Sequence, residues 1–185
     1  MGGQTPATLF EGLASGIGHP VIGFDHLAFI IGVGAMTALL GARPWAPLAF
    51  IAATLAGSLV QLAGIALPLA ELAVAGSVVL LGAAIIAARP APSAMVAFFA
   101  LAGLFHGWAY GEAVIGAEST PIAAYLLGFG LIQAAIVLAV AEAVRRLWLA
   151  GEGRLANLRI AGGVIAGVGL AFLIENIEAL AFPGM

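Results

Sequence analysis

Residues 18–29 read GHPVIGFDHLAF and place two histidines and an aspartate at the start of a long apolar run. The run continues to Leu40 without a further charge, long enough to cross ~30 Å of hydrocarbon as a helix. An aspartate inside such a helix costs ~2.5–3.5 kcal/mol on insertion scales. Polar residues kept against that penalty are expected to face the interior of a bundle and one another.

The rest of the chain has the same character. Of its 185 residues 63% are hydrophobic and 8% charged, with a mean hydropathy of +1.17, a balance that one soluble core of this length cannot hide. Six apolar runs are predicted to cross the bilayer: Pro20 to Leu40, Trp45 to Ala66, Leu69 to Ala88, Pro92 to Gly116, Pro121 to Leu149 and Asn157 to Leu180. Proline near the first turn of most of them (Pro20, Pro47, Pro92, Pro121) marks their starts. The predicted fold is therefore all-α, a polytopic membrane protein built as one transmembrane domain over residues 1–185, a six-helix bundle. Residues 1–18 lack a basic n-region and a cleavage pattern and read as a short outer-surface segment, with Thr5 and Pro6 as cap and first turn of a surface helix.

The strongly basic residues are all arginines: Arg43, Arg89, Arg145, Arg146, Arg154 and Arg159. Each falls in or beside the connections 1–2, 3–4 and 5–6, so the positive-inside rule places those connections in the cytoplasm and both termini on the outer, periplasmic side of a bacterial inner membrane. Glu11, Glu71, Glu118, Glu175 and Glu178 lie at the opposite ends, and Glu142 is expected to pair with Arg145 or Arg146 one turn on. The absence of cysteine excludes disulfides, iron–sulfur clusters and thiolate metal sites. Nothing in the chain suggests a nucleic-acid partner.

Depth follows from counting at 1.5 Å per residue. With His19 at the cap of the first helix, His26 lies roughly 10 Å below the outer boundary, and His106 and Gln61, counted up from Pro92 and Pro47, arrive at about the same level. Glu112 lies about 9 Å further out than His106, near His19 and Glu71. His19 and His26, seven residues apart, are expected on one helix face, with Asp25 rotated about 100° away. The plain alternative is an interhelical polar clamp joining helices 1 and 4.

Glycines recur every four residues at Gly103, Gly107 and Gly111, and Gly23 and Gly32 flank the polar turn, a pattern that allows helices 1 and 4 to approach closely. Gly163 and Gly167 read as packing. Gln61, Gln133 and Asn176 read as interhelical hydrogen-bond donors, Trp45, Trp108, Tyr125 and Trp148 as interface anchors or packing, and Phe98, Phe99 and Phe105 as bulk.

Two of these stretches carry a resemblance. HPVIGFDH (residues 19–26) resembles the HPxxGxDH signature of the HupE/UreJ family, and LFHGWAYGE (residues 104–112) is similar to that family's FHGxAHGxE motif. LPLAELAVAGSVVLLG (residues 67–82) is similar to its third-helix pattern. These are small bacterial membrane proteins associated with nickel supply to hydrogenase and urease and regarded as secondary nickel or cobalt permeases. The resemblance marks His19, Asp25, His26, His106 and Glu112 as metal-pathway residues, with Glu71 as a weaker candidate. Tyr110 stands where the motif has its second histidine, so this chain either has one ligand fewer or uses Tyr110 as a hydrogen-bond partner that fixes the tautomer of His106.

The function expected is that of a permease or binding protein for a divalent transition metal, nickel first, with cobalt, zinc or iron as other cargoes suited to imidazole and carboxylate. The ion would be captured by Glu112, His19 and Glu71, passed to His26, His106 and Asp25, and held above an apolar inner gate formed by residues 28–39 and 95–101. Two other classes are weighed: a non-transporting accessory subunit of a larger membrane complex, binding a structural metal, haem or pigment, and a membrane enzyme, for which no residue pattern specifies a reaction. Besides the ion and the lipid bilayer, the partners expected are such a complex or a second copy of the chain.

Overall fold

A computed structural model of the chain describes residues 5–41, 44–149 and 153–182, so Arg43 and residues 1–4 lie outside it. Among the described residues there are seven α-helices and no strands: α1 (Leu9–Ile22), α2 (Phe24–Leu39), α3 (Trp45–Leu62), α4 (Ala70–Ala87), α5 (Pro92–Gly111), α6 (Ser119–Ala143) and α7 (Arg154–Ala181). A 3-10 turn, Glu112–Val114, extends α5, and a π-helical turn, Val144–Trp148, extends α6. Five of these elements are long and apolar enough to cross a membrane alone, and α1 with α2, bent by 81°, makes a sixth.

The bend replaces the single first helix expected from Pro20. α1 begins not at Thr5 but at Thr8, whose hydroxyl accepts from the Glu11 amide while the Glu11 carboxylate accepts from the Thr8 amide, a reciprocal cap. Pro20 sits in its last turn rather than its first and offers no N–H to the Gly16 carbonyl, which weakens the helix where it ends. Gly23 then takes an extended conformation (φ −74°, ψ 104°), and α2 restarts with Asp25 Oδ1 accepting from the His26 amide at 2.8 Å. A side chain at Gly23 would press on His26 Cδ2 at 3.0 Å. Glycine therefore both opens the helix and leaves room for the His26 ring.

Residues 9–18 form most of α1, which packs against the start of α6. A β-carbon at Gly12 would strike the backbone of Pro121, one at Gly16 that of Tyr125, and one at Gly34 meets Val140 at 2.8 Å. α1 and α2 thus advance along α6 in the same direction, from the level of Pro121 to that of Val140, and together make one broken crossing. Other registers agree with six crossings of alternating direction. α3 and α5 run parallel (Phe50 against Gly103, Ser58 against Gly111), while α4 and α7 run antiparallel (Gly82 against Gly162 and Ala166, Val79 against Gly169).

The glycine stripe of α5 packs on α3, not on the first helix as expected. Ser58 Oγ donates to the Gly107 carbonyl at 2.8 Å across that contact. On α7 the packing glycines are Gly162 and Gly169; Gly163 and Gly167 have nothing within 4 Å and face outward. Gln133 reaches across to Thr54 Oγ1 at 3.3 Å as an interhelical donor, whereas Asn176 bonds the Phe172 carbonyl of its own helix. Glu142 pairs with both arginines, Arg145 at 2.6 Å and Arg146.

Candidate functional site

The break between α1 and α2 meets α4, α5 and α6 at one point. His26 Nδ1 lies 2.8 Å from His106 Nδ1, and His106 Nε2 lies 2.9 Å from Ser77 Oγ. His19 Nδ1 lies 2.9 Å from the hydroxyl of Tyr125, which in turn donates to the Tyr110 carbonyl at 2.8 Å. His26, His106 and Tyr125 are buried, and His19 and Asp25 half-buried. His19 and His26 lie on two different helices, not one face of a single helix, with ring centroids 6.5 Å apart and planes at 85°.

The proton on His19 can be assigned from its partners. A carbonyl only accepts, so the Tyr125 hydrogen is committed to Tyr110 and His19 Nδ1 must be the donor to the Tyr125 oxygen. The Nε2 lone pair of His19 is left free. His106 differs, because both of its ring nitrogens are engaged, one by His26 and one by Ser77. In this arrangement it supports the His26 ring and has no unengaged ring nitrogen.

Tyr110 does not hydrogen-bond His106. Its ring lies 4.3 Å from that of His26 and 5.0 Å from that of His19, and its hydroxyl is the fully buried side-chain polar atom without a partner among the described residues. An unsatisfied buried hydroxyl costs about 1–3 kcal/mol. Tyr110→Phe is therefore expected to raise the thermal unfolding midpoint of the metal-free protein in detergent, by the equivalent of about 1 kcal/mol; a lowered midpoint would mean that the hydroxyl has a partner.

The carboxylates stand nearer the surface than the buried histidine pair. Glu71, in the first turn of α4, is exposed and lies within charge–charge range of Asp25 and Glu112, and Glu112 is exposed at the 3-10 turn. Gln61 does not reach the histidine level. It packs against Gly111, five residues beyond His106, because α3 runs parallel to α5 with Thr54, not Gln61, beside Gly107. Below the histidines lies an aromatic layer: Phe29 packs, tilted, against His106 with centroids 4.3 Å apart and against Phe50 at 5.4 Å, with Phe98 and Phe99 at 6.0 and 6.4 Å. Phe29, Phe50 and Phe99 are wholly buried.

Among the described residues no three His, Asp or Glu side chains stand close enough to hold a metal ion between them. With a metal–nitrogen bond of about 2.1 Å each imidazole centroid stands about 3.2 Å from the ion, so rings 6.5 Å apart share one only in a near-linear arrangement. Closing α1 toward α2 by one or two ångströms would bring a bent N–metal–N geometry within reach. Sequence reasoning missed Ser77 and Tyr125. Tyr125 reads as an interface anchor because it follows the helix start by a few residues, and a lone serine in an apolar helix carries no signal.

A family model described as HupE / UreJ protein matches residues 3–172. The chain is 31% identical over 169 residues to "Protein HupE" of Rhizobium leguminosarum bv. viciae, covering 89% of this chain and 85% of that protein. No solved structure matches it. With the match running through both the broken first crossing and the histidine-bearing α5, the chain belongs to the HupE/UreJ family.

Proposed function

We propose that this protein is a secondary permease for a divalent transition-metal ion, nickel before cobalt, zinc or iron, moving it inward across a bacterial inner membrane with both chain ends on the periplasmic side. The observation that carries the reading is the break at Gly23. It sets the imidazoles of His19 and His26 at the junction of two half-helices, each with one ring nitrogen tied to a fixed partner. Discontinuous helices with their ends at mid-bundle are where secondary transporters bind ions, and a ligand histidine whose second nitrogen is hydrogen-bonded is the usual arrangement around a metal.

On this reading Glu112 and Glu71 gather the hydrated cation at the mouth, and His19, His26 and Asp25 replace part of its water. His106 holds His26 in orientation, Tyr110 offers its spare hydroxyl to a water on the ion, and the Phe29 layer is the inner gate. No nucleotide-binding motif is present, so the membrane potential or a proton gradient would drive the ion. The chain reads as a transporter rather than a catalyst.

The accessory-subunit reading is favoured by one observation, the open Gly163–Gly167 face of α7, which leaves room for a neighbouring subunit. Reconstitution separates the two. Liposomes holding the purified protein and a trapped nickel-responsive dye are expected to show saturable Ni2+ entry that His26→Ala abolishes. Entry no faster than in empty liposomes, with binding retained, would replace the permease by the accessory subunit.

A further inference from the structure

Ser77 lies on α4, outside both histidine motifs, yet it touches His106 at the core of the bundle. Resting on the reading of His26 as a ligand, we infer that Ser77 is a positioning residue: through His106 it fixes which nitrogen of His26 is left free for a metal ion.

The argument is one of donors and acceptors. A serine hydroxyl has one hydrogen, and Ser77 Oγ lies 2.7 Å from the Val74 carbonyl, which can only accept. That hydrogen is committed to the backbone. The 2.9 Å contact between Ser77 Oγ and His106 Nε2 must then be an imidazole N–H donating to oxygen. A neutral imidazole carries one N–H, so His106 Nδ1 is a lone pair. The 2.8 Å contact between the two Nδ1 atoms is consequently donated by His26. His26 is left with a bare Nε2, the form able to bind a metal.

Without Ser77 the histidine pair has two opposite proton orders of similar geometry. In one, His26 donates and keeps a free Nε2; in the other, His106 donates, and the proton of His26 moves to Nε2, where it blocks coordination. The string from His26 through His106 and Ser77 ends on a helix carbonyl that cannot donate, so only the first order satisfies every contact. Ser77 and His106 are buried, so water cannot substitute for the hydroxyl without opening the core.

Long-range proton–nitrogen NMR on histidine-labelled protein in detergent reads the protonated ring nitrogen directly, with no metal added. Wild type is expected to show His26 protonated on Nδ1 and His106 on Nε2. In Ser77→Ala a second His26 form protonated on Nε2 is expected, and Ser77→Thr, which keeps the hydroxyl, restores the single form. In Ni2+ titrations the alanine variant is expected to bind at least roughly tenfold more weakly, the scale of loss for an outer partner of a metal ligand, and the threonine variant as wild type. His26 protonated on Nε2 in wild type, or unchanged tautomers in Ser77→Ala, overturns the role of Ser77 whatever the metal data. Tautomers as expected in a wild type that binds no Ni2+ leave Ser77 as the residue ordering this pair and remove the permease reading instead.

Discussion

His26→Ala is expected to weaken Ni2+ binding by at least about a hundredfold, the largest loss of any single replacement at the site. The scale follows from comparison: removing the hydrogen-bond partner of a metal ligand typically costs 10–100-fold, and removing the ligand itself should cost no less. Calorimetric titration of the purified protein orders the residues. His26→Ala and His19→Ala, which delete the two imidazoles with a free Nε2, should fall furthest. His106→Ala should lose about 10–100-fold, because its two nitrogens are occupied by His26 and Ser77 and its part is to hold His26. Gln61→Ala should bind as wild type, since Gln61 sits beside Gly111 and away from the histidines. Wild-type affinity in His26→Ala would remove the break as the ion site. Equal losses in His106→Ala and His26→Ala would mean that the pair opens and that both rings coordinate.

What the sequence revealed, and what it hid, divides along the range of the forces involved. Membrane crossing is a property of local composition, so five of the six apolar runs match described helices to within a few residues. The pairing of His26 with His106 was visible because two scarce polar groups at one depth have few other partners. The break in the first crossing is not legible from Pro20 and Gly23 alone, although both residues that cause it lie within residues 18–29. Counting from His19 makes Pro20 a first-turn proline, whereas the Thr8–Glu11 cap starts the helix about three turns upstream and turns Pro20 into a terminator. The level of Gln61 and the partner of the glycine stripe differ from expectation for another reason. Which helix neighbours α5 is decided by backbone-to-backbone fit, and a single sequence records the small residues without naming their partner.

That last ambiguity yields the largest expected effect on stability, a change of sign between two stripes with the same sequence signature. Gly107 of α5 and Gly163 of α7 both lie in runs of glycine at fourfold spacing, but a β-carbon at Gly107 would stand 2.6 Å from the Cα and carbonyl carbon of Thr54, while one at Gly163 meets nothing within 4 Å. The atoms opposing Gly107 are backbone, so no rotamer change can yield to the methyl; α3 and α5 must separate. Separation strains the Ser58 bond to the Gly107 carbonyl and draws the neighbouring His106 away from Ser77. Overpacking by single methyl groups costs typically 1–3 kcal/mol, and Gly107→Ala should lie at the upper end, with Gly107→Leu failing to fold. Gly163→Ala and Gly167→Ala should go the other way by up to about 1 kcal/mol, the gain of alanine over glycine in an open helical position. Thermal unfolding in one detergent measures the three alanine variants, and the yield of monodisperse protein reads Gly107→Leu. A wild-type midpoint for Gly107→Ala would mean that α3 and α5 do not pack backbone to backbone, and a loss at Gly163→Ala would place a partner against the open face of α7.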